Sequence, residues 1–318
     1  MSVVIVTGSA GYIGGQTVLL LKDAGHEVYG IDRRDPSKHL RGICDKFLYQ
    51  DFASDVALSW IIAKQPDAII HCAGTSLVGP SVTDPAEYYN NNVAKTLRLL
   101  EIVRKSLPRC RVIFSSSAAT YGEPLLGECH EVDPCEPVSP YGQSKLMIDM
   151  MLESYRVAYN LDYVSFRYFN ACGADPQDRH GQEPSATHLI ARFLEATRDD
   201  GIFNIYGVDY PTLDGTCVRD YVHVDDIARA HELALYHKIP AGVYNLGSNS
   251  GTSVKQVIDR AMVITSKMPN IQYGAARPGD PPALTASSAK FDLVAGAWRH
   301  YSLDDMIQHA WAWYVRKN

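Results

Sequence analysis

With 318 residues, 46% hydrophobic and 21% charged, the chain has the composition of a globular protein long enough for one large domain or two modest ones. A net charge of −6 without a basic stripe excludes the electrostatic footprint of a nucleic-acid binder, and no apolar run approaches the roughly 20 residues that span a bilayer. Seven scattered cysteines without a Cys-x-x-Cys read as reduced thiols of a cytoplasmic protein, although Cys129 and Cys135 flank a loop and offer one possible pair.

The N-terminus has no basic segment and leads directly into structure rather than reading as a signal. Val3–Thr7 is a short apolar run ending in glycines, the pattern of a buried parallel strand. Helical periodicity over 12–24 stops at Gly25, a natural C-terminal cap. Strands are predicted at Glu27–Asp32, 47–51 and 68–73, a long helix over 85–106, and a strand over 111–116. Ser139 and Pro140 supply cap and first-turn chemistry for a helix over 141–159, and a strand follows over 163–167. This rhythm predicts an α/β fold with a Rossmann-type doubly wound parallel sheet.

Beyond about residue 170 the rhythm becomes irregular. A loop is predicted over 176–184, helices near 187–198, 224–236, 253–265 and Leu303–Arg316, and short strands near 204–206 and 243–246. The expected organisation is a dinucleotide-binding domain over 1–170, to which later segments return, and a smaller, partly interleaved C-terminal α/β substrate domain over 171–318.

Gly8, Gly11 and Gly14 form G-x-x-G-x-x-G between a predicted strand and the helix that Tyr12 and Ile13 open. Glycines there permit a tight turn and let a pyrophosphate approach backbone N–H groups at the helix N-terminus. Asp32 closes the second strand, where a carboxylate accepts both adenosine ribose hydroxyls and repels a 2′-phosphate, so NAD is favoured over NADP. Arg33 and Arg34 read either as solvated loop charges or as partners for a 2′-phosphate. Asp51 and Phe52 end the third strand, where a short polar side chain meets adenine. Cys72, Ala73 and Gly74 end the fourth, where small residues leave room for the cofactor.

Tyr141 and Lys145 stand at i and i+4, so the phenol and the ammonium converge on one helix face. A nearby cation favours the phenolate, which makes a proton acceptor usable near neutral pH. Ser115, Ser116 and Ser117 precede them on a predicted strand. Each has a plainer reading: a core tyrosine, a solvated lysine, a serine bonded to its own backbone. Taken with the glycine turn, they point to redox chemistry at a hydroxyl-bearing carbon.

These residues resemble the extended short-chain dehydrogenase/reductase superfamily and, within it, the UDP-galactose 4-epimerase family. The resemblance runs nearly end to end, through Glu87-Tyr88-Tyr89-Asn90-Asn91-Asn92-Val93, Ser139-Pro140-Tyr141-Gly142-Gln143-Ser144-Lys145, Arg167-Tyr168-Phe169-Asn170, Arg219-Asp220-Tyr221-Val222-His223 and Arg277-Pro278-Gly279-Asp280. It implies an NAD-dependent epimerase of UDP-glucose and UDP-galactose, with Ser117, Tyr141 and Lys145 catalytic and Asn92, Ser115 and Tyr168 joining the cofactor set. For the UDP-sugar it implies Asn170, His188 and Leu189 near the sugar and diphosphate, Tyr206 near uracil, Arg219 and Arg277 on the diphosphate, and Asp280 on the uridine ribose. An ion pair with Asp220 or Asp280 is the competing reading of both arginines. It implies a homodimer formed through the helix of Tyr141 and the helix near 92–106, while the sequence itself shows no histidine–carboxylate spacing for a metal and gives no expectation of nucleic acid or membrane.

The chain departs from the family in three places. Thr75 and Ser76 stand where a lysine usually reaches the cofactor, Val93-Ala94-Lys95-Thr96 where the family often has Val-x-Gly-Thr, and Leu284 at the position that gates N-acetylated sugars. The 4,6-dehydratases of the superfamily carry Asp-Glu after the catalytic serine; Ala118 and Ala119 here provide no such acid and base. Three other readings stay open: an epimerase of an N-acetylhexosamine, pentose or uronate nucleotide, a net NAD(P)-dependent dehydrogenase, and a non-catalytic nucleotide sensor.

Overall fold

The structure is a computed structural model that describes residues 1–318 except 38–39, 125–126, 184–186, 237, 278–279 and 317–318. Pro278 and Gly279 of the last quoted motif, and Pro184 at the end of the predicted loop, therefore lie outside the described residues. The chain folds into two compact units, one of Met1–Gly122, Pro134–Arg167 and Ala228–Tyr244, the other of Glu123–Asp133, Tyr168–Ile227 and Asn245–Asn318.

The first unit is built on a seven-stranded sheet in the order Gly242–Leu246, Tyr163–Tyr168, Arg111–Ser117, Ala68–His71, Val3–Thr7, Glu27–Asp32, Lys46–Tyr49. Val3–Thr7 pairs in parallel with strands on both sides, Thr7 lying in register with Ile31 and with His71. Strand order reverses at this point, which opens a crevice beyond the carboxyl ends of the strands. Val4, Ile5 and Val6 are fully buried, as a β-branched strand covered on both faces must be. Local chemistry fixes the ends of the helices. Gly25 takes φ +79° just after the helix Tyr12–Asp23, a conformation that costs glycine nothing. Ser139 Oγ accepts the Gly142 N–H at the start of Pro140–Tyr159, and Asn160 ends that helix in the left-handed region.

The α/β doubly wound sheet is thus the predicted one, with particular differences. The third and fourth strands are shorter than predicted, at Lys46–Tyr49 and Ala68–His71, and a helix not predicted, Asp55–Lys64, lies between them. The run over 85–106 is not uniformly α-helical, because Tyr89–Ala94 is a π-helical segment between Pro85–Tyr88 and Lys95–Ser106. A π turn inserts an extra residue and rotates the side chains that follow, and here Asn91 and Asn92 are both buried.

The second unit contains a five-stranded sheet, in which Val218–His223 pairs antiparallel with Gly251–Ser253 and parallel with Ala283–Ala286 and Asn170–Cys172. Ile202–Tyr206 and Asn270–Gly274 form a separate parallel pair. Phe193, Ile258, Ile307 and Tyr314, from helices Leu189–Arg198, Val254–Thr265 and Leu303–Arg316, share the core of this unit with Phe203 of the strand Ile202–Tyr206. All seven cysteines are free, so Cys129 and Cys135 form no disulfide.

Candidate active site

The carboxyl ends of the first unit's parallel strands bring Gly8, Asp32, Cys72 and Ser117 to one edge of the sheet. Gly8 has φ +72°, and a Cβ there would stand 2.7 Å from the Ala73 nitrogen. A Cβ on Gly14 would lie 2.2 Å from the Gly8 carbonyl, so both positions require glycine for the turn to pass so close to its neighbours. The helix Tyr12–Asp23 begins at Gly11 without a side-chain cap, which leaves its positive end for an anion. Asp32 is buried and accepts the N–H groups of Ala10 at 3.1 Å and Arg34 at 2.8 Å. A carboxylate has about four acceptor positions, so it keeps capacity for ribose hydroxyls beside the glycine turn. The Arg34 guanidinium stands 3.7 Å from Asp32 and is mostly exposed. This tight turn with a buried carboxylate at its flank fits a dinucleotide without a 2′-phosphate.

Ser117, Tyr141 and Lys145 come together beyond the end of Arg111–Ser117. Ser117 Oγ accepts the Ala119 N–H at 3.2 Å, and its hydroxyl lies close enough to the Tyr141 phenol to act on its ionisation. Desolvation pushes the phenol pKa up, and the Ser117 hydroxyl pulls it back. The Tyr88 ring meets the Tyr141 ring edge-on at 6.4 Å. Lys145 is 5% exposed, donates to the Ser115 carbonyl at 2.7 Å, and has its ammonium 5.9 Å from the centre of the Tyr141 ring. Burial draws its pKa down to about 8, against the opposing pull of Cys72 and Asp149, so it remains mainly cationic at neutral pH.

Asn92 is fully engaged by protein. Its amide donates to Ser144 Oγ and to the Thr75 carbonyl, both at 3.0 Å, and its oxygen accepts the Thr75 N–H at 2.8 Å. It therefore clamps the loop after the fourth strand to the helix of Tyr141, and Gly74 lies between Asn92 and Lys145. Phe52 is buried, and Cys72 Sγ lies 3.1 Å from Ser115 Oγ. Asp51 is bonded to Lys95.

In the second unit, Arg219 forms an ion pair with Asp280 and donates to the Pro281 carbonyl at 2.9 Å. The Arg277 guanidinium lies 4.4 Å over the Tyr206 ring. Leu284 is half-buried and in register with Arg219. Asn170 donates to the Asp220 carbonyl at 2.7 Å. The Asp220 carboxylate instead accepts from Ser248 and the Ala286 N–H. His188 caps Leu189–Arg198 without a side-chain bond to it and is joined to Gln182. Tyr168 is buried at the end of its strand.

Two groups escaped the sequence reading. His71, buried, is bonded to Thr7 at 2.7 Å and to Thr96 at 2.9 Å, and nothing in its sequence neighbourhood announces either partner. Asp149 lies one turn beyond Lys145 on the same face, and its spacing from Tyr141 was readable.

A model of the NAD dependent epimerase/dehydratase family matches residues 4–247. The UDP-glucose 4-epimerase of Halalkalibacterium halodurans is 42% identical over 320 residues, covering 98% of this chain and 95% of that protein. The crystal structure of UDP-glucose 4-epimerase from Brucella ovis in complex with NAD is 38% identical, covers 98% of both chains and superposes with a TM-score of 0.93. That of UDP-glucose 4-epimerase from Bifidobacterium longum in complex with NAD+ and UDP is 32% identical, with 99% of this chain and 98% of that one covered and a TM-score of 0.89. Sequence, topology and the glycine turn agree: the chain belongs to the NAD dependent epimerase/dehydratase family.

Proposed function

We propose that this chain is an NAD-dependent 4-epimerase that interconverts UDP-glucose and UDP-galactose through a transient 4-keto sugar. The observation that carries the reading is Tyr141 beside Ser117, with the Lys145 ammonium 5.9 Å from the centre of the Tyr141 ring and bonded to the Ser115 carbonyl, at the sheet edge that holds the dinucleotide turn. Bound NAD would supply the hydride acceptor and donor for the sugar C4, inversion requiring the 4-keto sugar to turn over in the site between the two transfers. Gly8, Gly11 and Gly14 with Tyr12 and Ile13 would hold its pyrophosphate, Asp32 its ribose, and Asp51 with Phe52 its adenine end. Tyr141 as phenolate accepts the 4-hydroxyl proton while that carbon is oxidised, and gives it back on reduction. Ser117 hydrogen-bonds the same oxygen and keeps the phenol aimed at it. Lys145 supplies the positive charge that favours the phenolate.

Within the second unit, Arg219 and Arg277 offer guanidinium forks for a diphosphate, the Tyr206 face suits a uracil ring, and Asp280 suits a ribose hydroxyl. Binding there exchanges the Arg219–Asp280 ion pair for contacts to the nucleotide. A homodimer is supported by apolar side chains exposed on two neighbouring helices of the first unit: Met147, Met150 and Val157 on Pro140–Tyr159, and Leu97 on Lys95–Ser106. The free cysteines suit a reducing cytoplasm. No helix among the described residues is long and apolar enough to cross a membrane.

Proton NMR of purified protein with UDP-galactose, with and without added NAD, tests the reading. Appearance of UDP-glucose without net NADH supports epimerisation. Stoichiometric NADH with an oxidised sugar would replace it with a dehydrogenase.

A further inference from the structure

Tyr141 and Lys145 are two of three rungs that join the helix Pro140–Tyr159 to residues 115–117. Tyr141 meets Ser117, Lys145 meets the Ser115 carbonyl, and Asp149 accepts Ser116 Oγ at 3.1 Å. The spacing i, i+4, i+8 keeps all three on one helix face. Asp149 is 4% exposed and also accepts Ser165 Oγ at 2.6 Å and Arg167 Nε at 3.1 Å. Arg167 is equally buried and stacks 4.8 Å over the Tyr121 ring. The groups facing Lys145 are His71, Cys72, Tyr141 and Asp149. Those facing Asp149 are Arg167, Ser116, Ser165, Lys145 and Tyr163, and Cys135 lies against Arg167.

A buried ion pair is a poor way to add stability, because removing two charges from water costs about as much as their attraction returns. What it does well is fix geometry, since each partner tolerates few alternative positions. We propose that Asp149, held by Arg167, is a positioning residue for the epimerisation: it sets the register of the catalytic helix against the three serines and places an anion behind the Lys145 ammonium. The inference rests on the roles given above to Tyr141 and Lys145. Its electrostatic half agrees with the opposition between burial, which lowers the Lys145 pKa to about 8, and the Asp149 charge, which raises it.

The test follows Lys145 in uniformly [ε-13C]lysine-labelled full-length protein, its NMR resonance assigned with Lys145→Arg, alongside the pH dependence of kcat with UDP-galactose. In Asp149→Asn the Lys145 midpoint and the alkaline limb of kcat move down together by about one pH unit. There kcat falls about tenfold while KM changes little. Asp149→Glu restores both midpoints. Because Asp149→Asn strands the Arg167 charge and threatens folding, Asp149→Asn/Arg167→Met is measured too, and shifts Lys145 in the same direction by less. Midpoints equal to wild type in either folded variant, with only a lower melting temperature, would overturn the proposal and leave Asp149 a packing residue. The resonance reports on Lys145 whether or not a sugar turns over, so a wild type without epimerase activity counts against the functional reading alone.

Discussion

Lys95 Nζ stands 2.5 Å from Asp51 Oδ2, an ion pair that ties the helix Lys95–Ser106 to the end of the third strand. Lys95 also donates to Asn91 Oδ1 at 2.9 Å, and Asn91 donates to Thr75 Oγ1 at 2.8 Å. A polar chain therefore runs from Asp51 to the loop after the fourth strand, through two of the positions where the chain departs from the family pattern. Burial pushes the Asp51 carboxyl up, but Lys95 and the Ala53 N–H outweigh it and hold it below the usual range. In the proposed cofactor site, where Asp51 meets adenine, Lys95 would compete with the adenine amino group for the carboxylate. Lys95→Met frees Asp51 and raises the preference for NAD over nicotinamide hypoxanthine dinucleotide by about fivefold, one hydrogen bond's worth. Calorimetric titration of both dinucleotides checks this, and an unchanged ratio would remove Asp51 from the adenine site.

Tyr141→Phe deletes one hydroxyl and leaves the ring packed against Tyr88. Turnover drops by about 10²- to 10⁴-fold, the range for losing a general acid–base group. The melting temperature and NAD affinity stay near wild type, as differential scanning fluorimetry with and without NAD will show. Near-normal activity in this variant would sink the mechanism.

His71 makes folding sensitive to acid. Its pKa falls from the ordinary 6.5 to about 3 because burial excludes the charged ring, with Lys145 adding to the effect. The unfolded chain takes up a proton below pH 6.5 that the folded chain refuses, so stability is lost as pH falls from 6.5 towards 3. The slope from this group is about 1.4 kcal/mol per pH unit in that window, and it vanishes above it. Urea melts at pH 7 and pH 5 should differ more for wild type than for His71→Gln, even though the variant is less stable at pH 7. Parallel pH dependence in the two proteins would show that His71 titrates normally.

Met147 and Met150 lie on the exposed face of the catalytic helix, 42% and 63% accessible in the single chain. Apolar area of this kind is covered by a second copy in the proposed dimer. Met147→Glu/Met150→Glu places charge in that contact, and sedimentation equilibrium should show the mass falling from two chains to one. Wild type sedimenting as a monomer would remove the dimer.

The sequence alone determined what is governed by neighbours along the chain. Val3–Thr7, the three glycines, Asp32 at the strand end and the Tyr141–Lys145 spacing were all legible, because a turn that needs positive φ and a helix face are set within a few residues. The rung of Asp149 was equally legible by spacing, although only its burial and its bonds to Ser116, Ser165 and Arg167 show what it touches.

Tertiary structure decided the rest. The π turn at Tyr89–Ala94, the His71 bonds to Thr7 and Thr96, and the pairing of Lys95 with Asp51 across 44 residues have no local signature. The same holds for short strands such as Glu128–Cys129 and Ala283–Ala286, which pair with each other across about half the length of the chain. Such contacts join residues whose encounter must first overcome the entropy of closing a long loop. They form only when the surrounding core has already fixed both ends, and so they can be read only from the folded chain.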